Sequence, residues 1–183
     1  MHVLAIYICP GCHDRALSDR FLQALELPLD RHIVLPIDTH PPYSPLHVLD
    51  FAHQTWGNTI WQQRIFFLSF SAGVVGAIGA ARLWRQQGGS VAAFVACDGW
   101  GVPLFGDFPI YRVSHDDRTH RESTFLGAGD EGFYADPPVA HLDLWAAPQT
   151  ARGWWVSQNE ERSRRSTAAA FIRHLLQIYG EIL

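Results

Sequence analysis

The segment Ile65-Phe66-Phe67-Leu68-Ser69-Phe70-Ser71-Ala72-Gly73 joins a strand-like run to a helical one. Its first half is a run of large apolar residues without polar alternation, which is typical of a strand buried on both faces of a parallel sheet. From residue 72 onward the side chains become small, and the pattern predicts a helix over residues 72–87 that ends at Gly88-Gly89. Strand and helix therefore meet at Ser71 with almost no connecting loop.

Outward from this junction, apolar runs alternate with helical patterns along most of the chain. Strands are predicted over residues 3–9, 32–37, 64–70, 91–97, 110–113 and 133–135, and helices over residues 15–27, 46–56, 72–87 and 163–182. The rest of residues 115–148 is expected to be rich in loops. This alternation predicts an α/β protein, a three-layer αβα sandwich around a mostly parallel sheet of about six strands. Because there is no internal repeat and no linker, residues 1–183 are expected to form one domain.

The chain contains no lysine: all 14 of its positive residues are arginine, against 18 acidic residues and 10 histidines. This composition excludes a Walker-type phosphate loop, a pyridoxal Schiff base and any catalytic lysine. The formal net charge of -4 also speaks against a polybasic nucleic-acid surface. No apolar run reaches the ~20 residues of a membrane span, and the N-terminus lacks the pattern of a signal peptide. A cytoplasmic protein without a membrane span is therefore expected.

Ser69-x-Ser71-x-Gly73 has the spacing of a nucleophile elbow, with serine in place of the usual first glycine. The turn in such an elbow is so sharp that the residues two before and two after the nucleophile must be small. The hydroxyl of Ser71 would then project from the sheet, and the N–H of Ala72 would face a developing oxyanion. The alternative is an ordinary junction in which Ser71 caps the following helix.

With this elbow the chain resembles the α/β-hydrolase superfamily, and within it the minimal bacterial lipases and esterases, which have six strands and no lid domain. It is also similar to uncharacterised α/β-hydrolase-like proteins of cyanobacteria, a likeness that leaves the substrate open. The catalytic residues of the superfamily follow in the order Ser, Asp, His. In this chain Ile110-Tyr111-Arg112-Val113 runs into Ser114-His115-Asp116-Asp117, where that family places its acid, and Pro138-Val139-Ala140-His141-Leu142 resembles its histidine loop.

The resemblance implies a catalytic triad of Ser71, Asp116 and His141. His141 would take the proton of the Ser71 hydroxyl and later deliver it to the leaving group, while Asp116 would orient the imidazole. The implied activity is hydrolysis of a carboxylic ester or thioester through an acyl-serine intermediate, with no cofactor and no metal.

Other partners for Ser71 stay open. Asp98 ends the preceding strand, where some lipases carry their acid, and Asp117 is adjacent to the favoured carboxylate. His120 is an alternative base, but it follows the fifth predicted strand by only a few residues. His141 is preferred because it comes late enough in the chain to follow a sixth strand.

The segment Cys9-Pro10-Gly11-Cys12-His13 allows several interpretations. As C-x-x-C it matches a thioredoxin-like redox pair, and as C-x-x-C-H it matches a haem-attachment motif. Together with Cys97 it offers thiols for zinc. The resemblance implies a fourth role, because the first strand of the superfamily ends in a turn whose N–H completes the oxyanion hole. The N–H groups of Cys12 and Ala72 would then form that hole, a role we favour because it shares one architecture with the elbow.

Three aromatic residues follow the fourth predicted strand: Trp100, Phe105 and Phe108. Because ligands of α/β proteins bind at the carboxyl edge of the sheet, these residues are expected to line a pocket for an apolar acyl group or an aromatic ring. Exposed tryptophans would also favour a homodimer. The run from Gly127 to Gly132 matches G-x-G-x-x-G, but it neither follows a clear strand nor opens a helix, so no dinucleotide cofactor is expected.

Three functions are therefore open. The first is a serine hydrolase acting on an ester or thioester, and the second is a thiol redox protein using Cys9 and Cys12. The third is a non-catalytic, hydrolase-like binding module, which would be favoured if Ser71, His141 and the neighbouring carboxylates lay too far apart to hydrogen-bond.

Overall fold

Strands and helices alternate along the computed structural model, which describes residues 3–27, 31–127, 131–157 and 163–181. The strands are β1 (Val3–Cys9), β2 (His32–Val34), β3 (Gln63–Phe70), β4 (Ser90–Cys97), β5 (Ile110–Ser114), β6 (Glu131–Ala135), β7 (Arg152–Ser157) and β8 (Arg164–Thr167). The α-helices are α1 (Arg15–Leu25), α2 (Pro45–Trp56), α3 (Ala72–Gln86), α4 (Asp117–Thr124), α5 (His141–Ala146) and α6 (Ala168–Glu181), and a 3₁₀ helix spans Gly57–Gln62.

All strands of the described residues join one sheet, in the order β2-β1-β3-β4-β5-β6-β7-β8. Strands β1 to β6 pair in parallel, whereas β7 and β8 extend the sheet with antiparallel pairs. The predicted α/β class and the mostly parallel sheet are confirmed. The predicted number of about six strands is wrong. The sheet has eight, because the antiparallel strands β7 and β8 at its β6 edge were not predicted.

Two apolar cores lie on the two faces of this sheet. One contains Phe66, Leu68 and Phe70 of β3 and packs against α1, α5 and α6. The other contains Ile65 and Phe67 of the same strand and packs against α2 and α3. Neighbouring residues of one strand thus enter opposite cores, which is why the strand is apolar without alternation.

The chain leaves β1 and β3 in opposite directions across the sheet. After β1 it passes through α1 to β2 at one edge, and after β3 it passes through α3 to β4 on the other side. In open α/β sheets the crevice at such a topological switch point, outside the carboxyl ends of the strands, is the usual ligand site. Cys9 and Phe70 end these two strands, so the segments that carry the elbow and the C-x-x-C motif meet there.

The second half of the chain departs from the predictions in three places. Residues 115–148, expected to be mostly loop, contain the short helices α4 and α5. The helix predicted over residues 163–182 begins only at Ala168, because Arg164–Thr167 forms β8; Ile182 lies outside the described residues. Of the G-x-G-x-x-G run, residues 128–130 lie outside the described residues, and Glu131 and Gly132 begin β6. Within the ranges that the structure describes, no helix has both the length and the apolar character needed to cross a membrane.

Candidate active site

Ser71 occupies a strained turn between β3 and α3. Its backbone has φ 51° and ψ −122°, a conformation on the positive-φ side that costs a residue with a Cβ on the order of 1–3 kcal/mol. The turn is held because the Ser71 N–H donates to the Cys97 carbonyl at 3.0 Å, while the Ser71 carbonyl accepts from the Val74 N–H. The Ser71 side chain makes no capping hydrogen bond to α3, so the alternative role as a helix cap is wrong.

Small residues around Ser71 allow the strand ends to approach closely. A Cβ at Gly73 would collide with the carbonyl oxygens of Cys9 and Pro10, and a Cβ at Gly11 would lie 2.9 Å from the Ser71 Cβ. Ser69, the other small residue of the pattern, is buried and donates its hydroxyl to the Val95 carbonyl at 2.8 Å. The spacing that predicted an elbow therefore corresponds to real steric contacts.

His141 contacts Ser71 through one ring nitrogen and a carboxylate through the other. Its Nε2 lies 3.1 Å from the Ser71 Oγ, and its Nδ1 lies 2.7 Å from the Asp98 Oδ2. A carboxylate can only accept, so the Nδ1 carries the proton and the Nε2 lone pair faces the Ser71 hydroxyl. This is the tautomer that a general base needs.

The position of His141 is set from two directions. It is the first residue of α5, and the segment before that helix is tied down because the Val139 N–H donates to the His115 carbonyl at 3.0 Å. The imidazole stacks on Phe70, with 4.7 Å between the ring centroids. Phe70 in turn stacks on Trp145, one helical turn further along α5. The residue directly before the elbow serine thus supports the ring that faces the Ser71 hydroxyl.

Asp98 follows β4 and is the carboxylate at the centre of the site. Its side chain is 1% exposed and its backbone has a φ of 49°. The Oδ1 accepts from the His115 N–H at 2.9 Å, and the Oδ2 accepts from the Nδ1 of both His115, at 2.9 Å, and His141. Burial alone would raise the pKa of Asp98, but the hydrogen bonds from the two histidines outweigh it and lower that pKa. The same hydrogen bond to Asp98 raises the pKa of His115 against the effect of its own desolvation.

The acid predicted from the resemblance, Asp116, does not contact His141. Its Oδ1 accepts from the Thr119 N–H at 2.6 Å, which caps α4, and its Oδ2 lies 3.4 Å from the Nε2 of His115. Asp117 is drawn away by an ion pair with Arg121 at 2.9 Å. The carboxylate on His141 is therefore Asp98, which the sequence offered only as an alternative. The reason is local: the carboxylate of Asp116 is engaged by the first turn of α4.

His120, the alternative base, lies in a different environment. It sits on α4 beside Gly132 and its ring packs against Tyr134, with 5.3 Å between the centroids. Burial lowers the pKa of His120 to about 4, with Arg112 and Arg121 acting in the same direction and Asp117 opposing them. Its Nδ1 is buried without a hydrogen-bond partner. The histidine that hydrogen-bonds to the Ser71 hydroxyl is His141 and not His120.

The cysteines are arranged unfavourably for redox chemistry, haem attachment or zinc. All three are free, with Cys12 exposed and Cys9 and Cys97 buried. Burial raises the pKa of the Cys9 and Cys97 thiols, which disfavours the reactive thiolate. Cys9 and Cys97 also enter different cores and are separated by β3, a spacing of roughly 10 Å between strands. A zinc site that uses both is therefore excluded, and a buried Cys9 is not accessible to haem.

The loop that carries Cys12 lies against the elbow, because Gly11 packs on Ser71 and Phe70. The backbone hydrogen bonds of the described residues use neither the N–H of Cys12 nor that of Ala72. Both donors lie within two residues of this contact, at the carboxyl ends of β1 and β3. An oxyanion hole at these two amides stays a prediction, and their place beside Ser71 suits it.

Of the predicted pocket residues, only Trp100 lies beside the site in the sequence and at the surface. It follows Asp98 by two residues and is 70% exposed. Phe108 is buried and packs on Phe94 in the core beneath α3. Phe105 lies 4.1 Å from the guanidinium carbon of Arg82, which is ten residues, or about 15 Å of helix, beyond the elbow. Neither contact places Phe105 or Phe108 beside Ser71, and their part in a pocket stays a prediction.

The sequence did not indicate that His115 and Phe70 support the site. His115 binds Asp98 through both its backbone N–H and its ring, and its position at the end of β5, next to the predicted acid, was the available signal.

Asp98, His115 and His141 are also the group among the described residues whose ligand atoms lie close enough together, within 4.8 Å of one another, to hold a metal ion.

Two sequence comparisons find no match for this chain. The sequence matches no protein-family model, and a search of curated proteins finds no significant match. The function is therefore argued from the geometry of the site.

Proposed function

We propose that the protein is a serine hydrolase of the α/β-hydrolase type that cleaves an ester or thioester through an acyl-Ser71 intermediate. The observation that carries this proposal is the continuous hydrogen-bonded series from the Ser71 Oγ to His141 to Asp98, with separations of 3.1 Å and 2.7 Å. Together with the strained backbone of Ser71, it combines an activated nucleophile with the turn that presents it. The condition that would have favoured a non-catalytic binding module, a triad too far apart to hydrogen-bond, is not met.

In the proposed reaction the Ser71 Oγ attacks the carbonyl carbon while its proton passes to the His141 Nε2. The resulting oxyanion would accept hydrogen bonds from the N–H groups of Cys12 and Ala72. Collapse breaks the bond to the leaving alcohol or thiol, which takes the proton from His141. Water, deprotonated by the same imidazole, then releases the acid and regenerates Ser71. Asp98 stays ionised throughout and stabilises the imidazolium.

The surroundings of the site favour an apolar substrate. Trp100 follows the acid by two residues and Leu142 follows the base directly, and the two residues are 70% and 45% exposed. Large exposed apolar side chains beside a polar centre are typical of a binding surface for apolar groups. We therefore expect acyl or aromatic groups of this character.

Hydrolysis of p-nitrophenyl esters from acetate to octanoate, with matched thioesters, tests the proposal. Wild type is expected to hydrolyse the longer chains with the higher kcat/KM, and Ser71→Ala to lose at least about 10³-fold. Ser69→Ala is the matched control, since it removes a neighbouring hydroxyl but keeps a small residue in the elbow. Equal rates for wild type and Ser71→Ala would contradict the proposal.

A further inference from the structure

His115 is a second imidazole on the carboxylate of the proposed triad. The proposed proton transfer uses the Nε2 of His141, yet the Asp98 Oδ2 accepts from His115 and from His141 at nearly the same distance, 2.9 Å and 2.7 Å. The two imidazoles meet edge to face, with 6.1 Å between the ring centroids. Two imidazoles therefore turn the same nitrogen, Nδ1, toward one carboxylate oxygen.

These three atoms are a donor set for a borderline transition metal. Zn²⁺ binds imidazole nitrogen and carboxylate oxygen at about 2.0–2.2 Å and commonly takes three protein ligands and a water. The ligand atoms lie within 4.8 Å of one another. The carboxylate is already fixed, because its other oxygen accepts from the His115 N–H. The histidine side chains are 26% and 42% exposed, so the cluster borders solvent although Asp98 is buried.

Metal binding and proton transfer from Ser71 exclude each other at His141. A metal on Nδ1 needs the lone pair of that nitrogen, so the ring proton must move to Nε2. Nε2 is the atom that faces the Ser71 Oγ at 3.1 Å, and once protonated it donates a hydrogen bond there and cannot accept the serine proton. The same ring thus has one tautomer that serves as base and another that binds metal.

We propose that Asp98, His115 and His141 form a binding site for Zn²⁺ or a similar transition metal, and that occupation of this site switches off Ser71. The inhibitory part rests on the proposed hydrolase function, whereas the binding part does not. Mg²⁺, which prefers an octahedron of oxygen ligands, is expected not to bind.

Calorimetric titration of Zn²⁺ into metal-free Ser71→Ala protein tests the binding part, because this variant keeps all three ligands. One equivalent is expected to bind with a Kd in the micromolar range or below, and MgCl₂ is expected to give no binding heat. Adding His115→Gln should weaken binding at least about tenfold, since one ligand of three is lost. Cys12→Ser is the control for the exposed thiol and should leave the Kd unchanged. Absence of binding, or the same Kd with and without His115→Gln, would overturn the site.

Inhibition is measured on proteins that have Ser71, each relative to its own rate without zinc. Zinc is expected to suppress ester hydrolysis of wild type at the concentration that fills the site, with recovery on adding a chelator, and to need about tenfold more metal in His115→Gln. Should His115→Gln melt too early to assay, His141→Gln in the Ser71→Ala protein provides the same comparison of Kd values. Zinc binding without any wild-type hydrolysis would refute the proposed function but leave the site, whereas hydrolysis that zinc does not affect would refute the switch.

Discussion

Asp98 determines the chemistry of the site more than any other residue except the serine. Its two carboxylate oxygens accept three hydrogen bonds from His115 and His141, and its side chain is almost fully buried. A buried carboxylate is tolerated only when such partners replace its water shell. These contacts fix the carboxylate and, through it, the tautomer of His141.

Asp98→Asn should lower kcat/KM by about 10³–10⁴-fold, because an amide can donate to the His141 Nδ1 and stabilise the wrong tautomer. Asp116→Asn is the matched control: asparagine caps a helix nearly as well as aspartate, so α4 should persist and kcat/KM should change less than about tenfold. Steady-state kinetics on the best ester measures both. A larger loss in Asp116→Asn than in Asp98→Asn would return the acid to the position that the resemblance implied.

His120 makes a separate prediction about stability. Its folded-state pKa of about 4 lies below the ordinary value of about 6.5, so the unfolded chain takes up the proton first as the pH falls. The contribution of neutral His120 to the free energy of unfolding is therefore complete above pH ~6.5 and is lost as the pH falls toward 4. His120→Leu should reduce the fall in the free energy of unfolding between pH 7 and 4.5 by on the order of 2 kcal/mol.

Urea denaturation at several pH values measures this difference. An identical pH dependence for wild type and His120→Leu would contradict the assignment of a buried, neutral imidazole.

At the scale of elements, the close approach of α3 to the end of β1 is the most constrained contact of the site. Gly73→Ala would place a methyl group against the carbonyl oxygens of Cys9 and Pro10, and the strand end or the helix must move. We expect a loss of about 2–3 kcal/mol in the free energy of unfolding and a larger loss of activity than the stability alone explains, since the Cys12 loop moves with Cys9.

Gly180→Ala is the control for that substitution. It also lies in a helix, α6, but a Cβ there would meet only Leu4 at 3.8 Å, an ordinary contact. Alanine has the higher helix propensity, so this change should stabilise the protein by about 0.5 kcal/mol. Chemical denaturation measures both variants. Equal effects at the two positions would show that packing at the elbow is looser than described.

The sequence predicts some elements well and others poorly, for physical reasons. The central parallel strands β1, β3 and β4 are recognisable because burial on both faces leaves a continuous apolar run. β8 cannot be recognised in the sequence, because Arg164 and Arg165 have the pattern of a solvated helix face. Their contacts with β7 are visible only in the structure. There each guanidinium lies over a tryptophan of the neighbouring strand, Arg164 over Trp155 at 3.6 Å and Arg165 over Trp154 at 4.3 Å. A strand stabilised by partners in another element gives no local pattern.

The site shows the same division. Ser71 is predictable because the steric rule of the elbow is local in sequence, and His141 because it follows the last parallel strand. The contact between His141 and Asp98 could not be predicted, because three candidate acids, Asp98, Asp116 and Asp117, follow strand ends. The choice among them depends on the capping hydrogen bond from the Thr119 N–H to Asp116. Side-chain contacts between separate loops are outside what spacing can indicate.

At the scale of the whole molecule, the sheet separates the thiols from one another. Cys9 lies in the core beneath α2 and α3, Cys97 in the core on the opposite face, and Cys12 at the surface. A chromogenic aromatic disulfide should therefore titrate one thiol in the native protein and three after denaturation, with the native reaction lost in Cys12→Ser. If the native protein does not react with the reagent until it has been treated with a reductant, Cys9 and Cys12 form a disulfide and the redox alternative is supported. The homodimer stays a prediction.

Covalent labelling shows whether Ser71 is a nucleophile activated by His141. Wild-type protein treated with a fluorophosphonate probe should gain one adduct by intact mass, which peptide mapping should place on Ser71. Ser71→Ala should gain none, and His141→Gln should label at least about 100-fold more slowly. An adduct on another residue, or equal labelling of wild type and Ser71→Ala, would show that Ser71 is not the nucleophile.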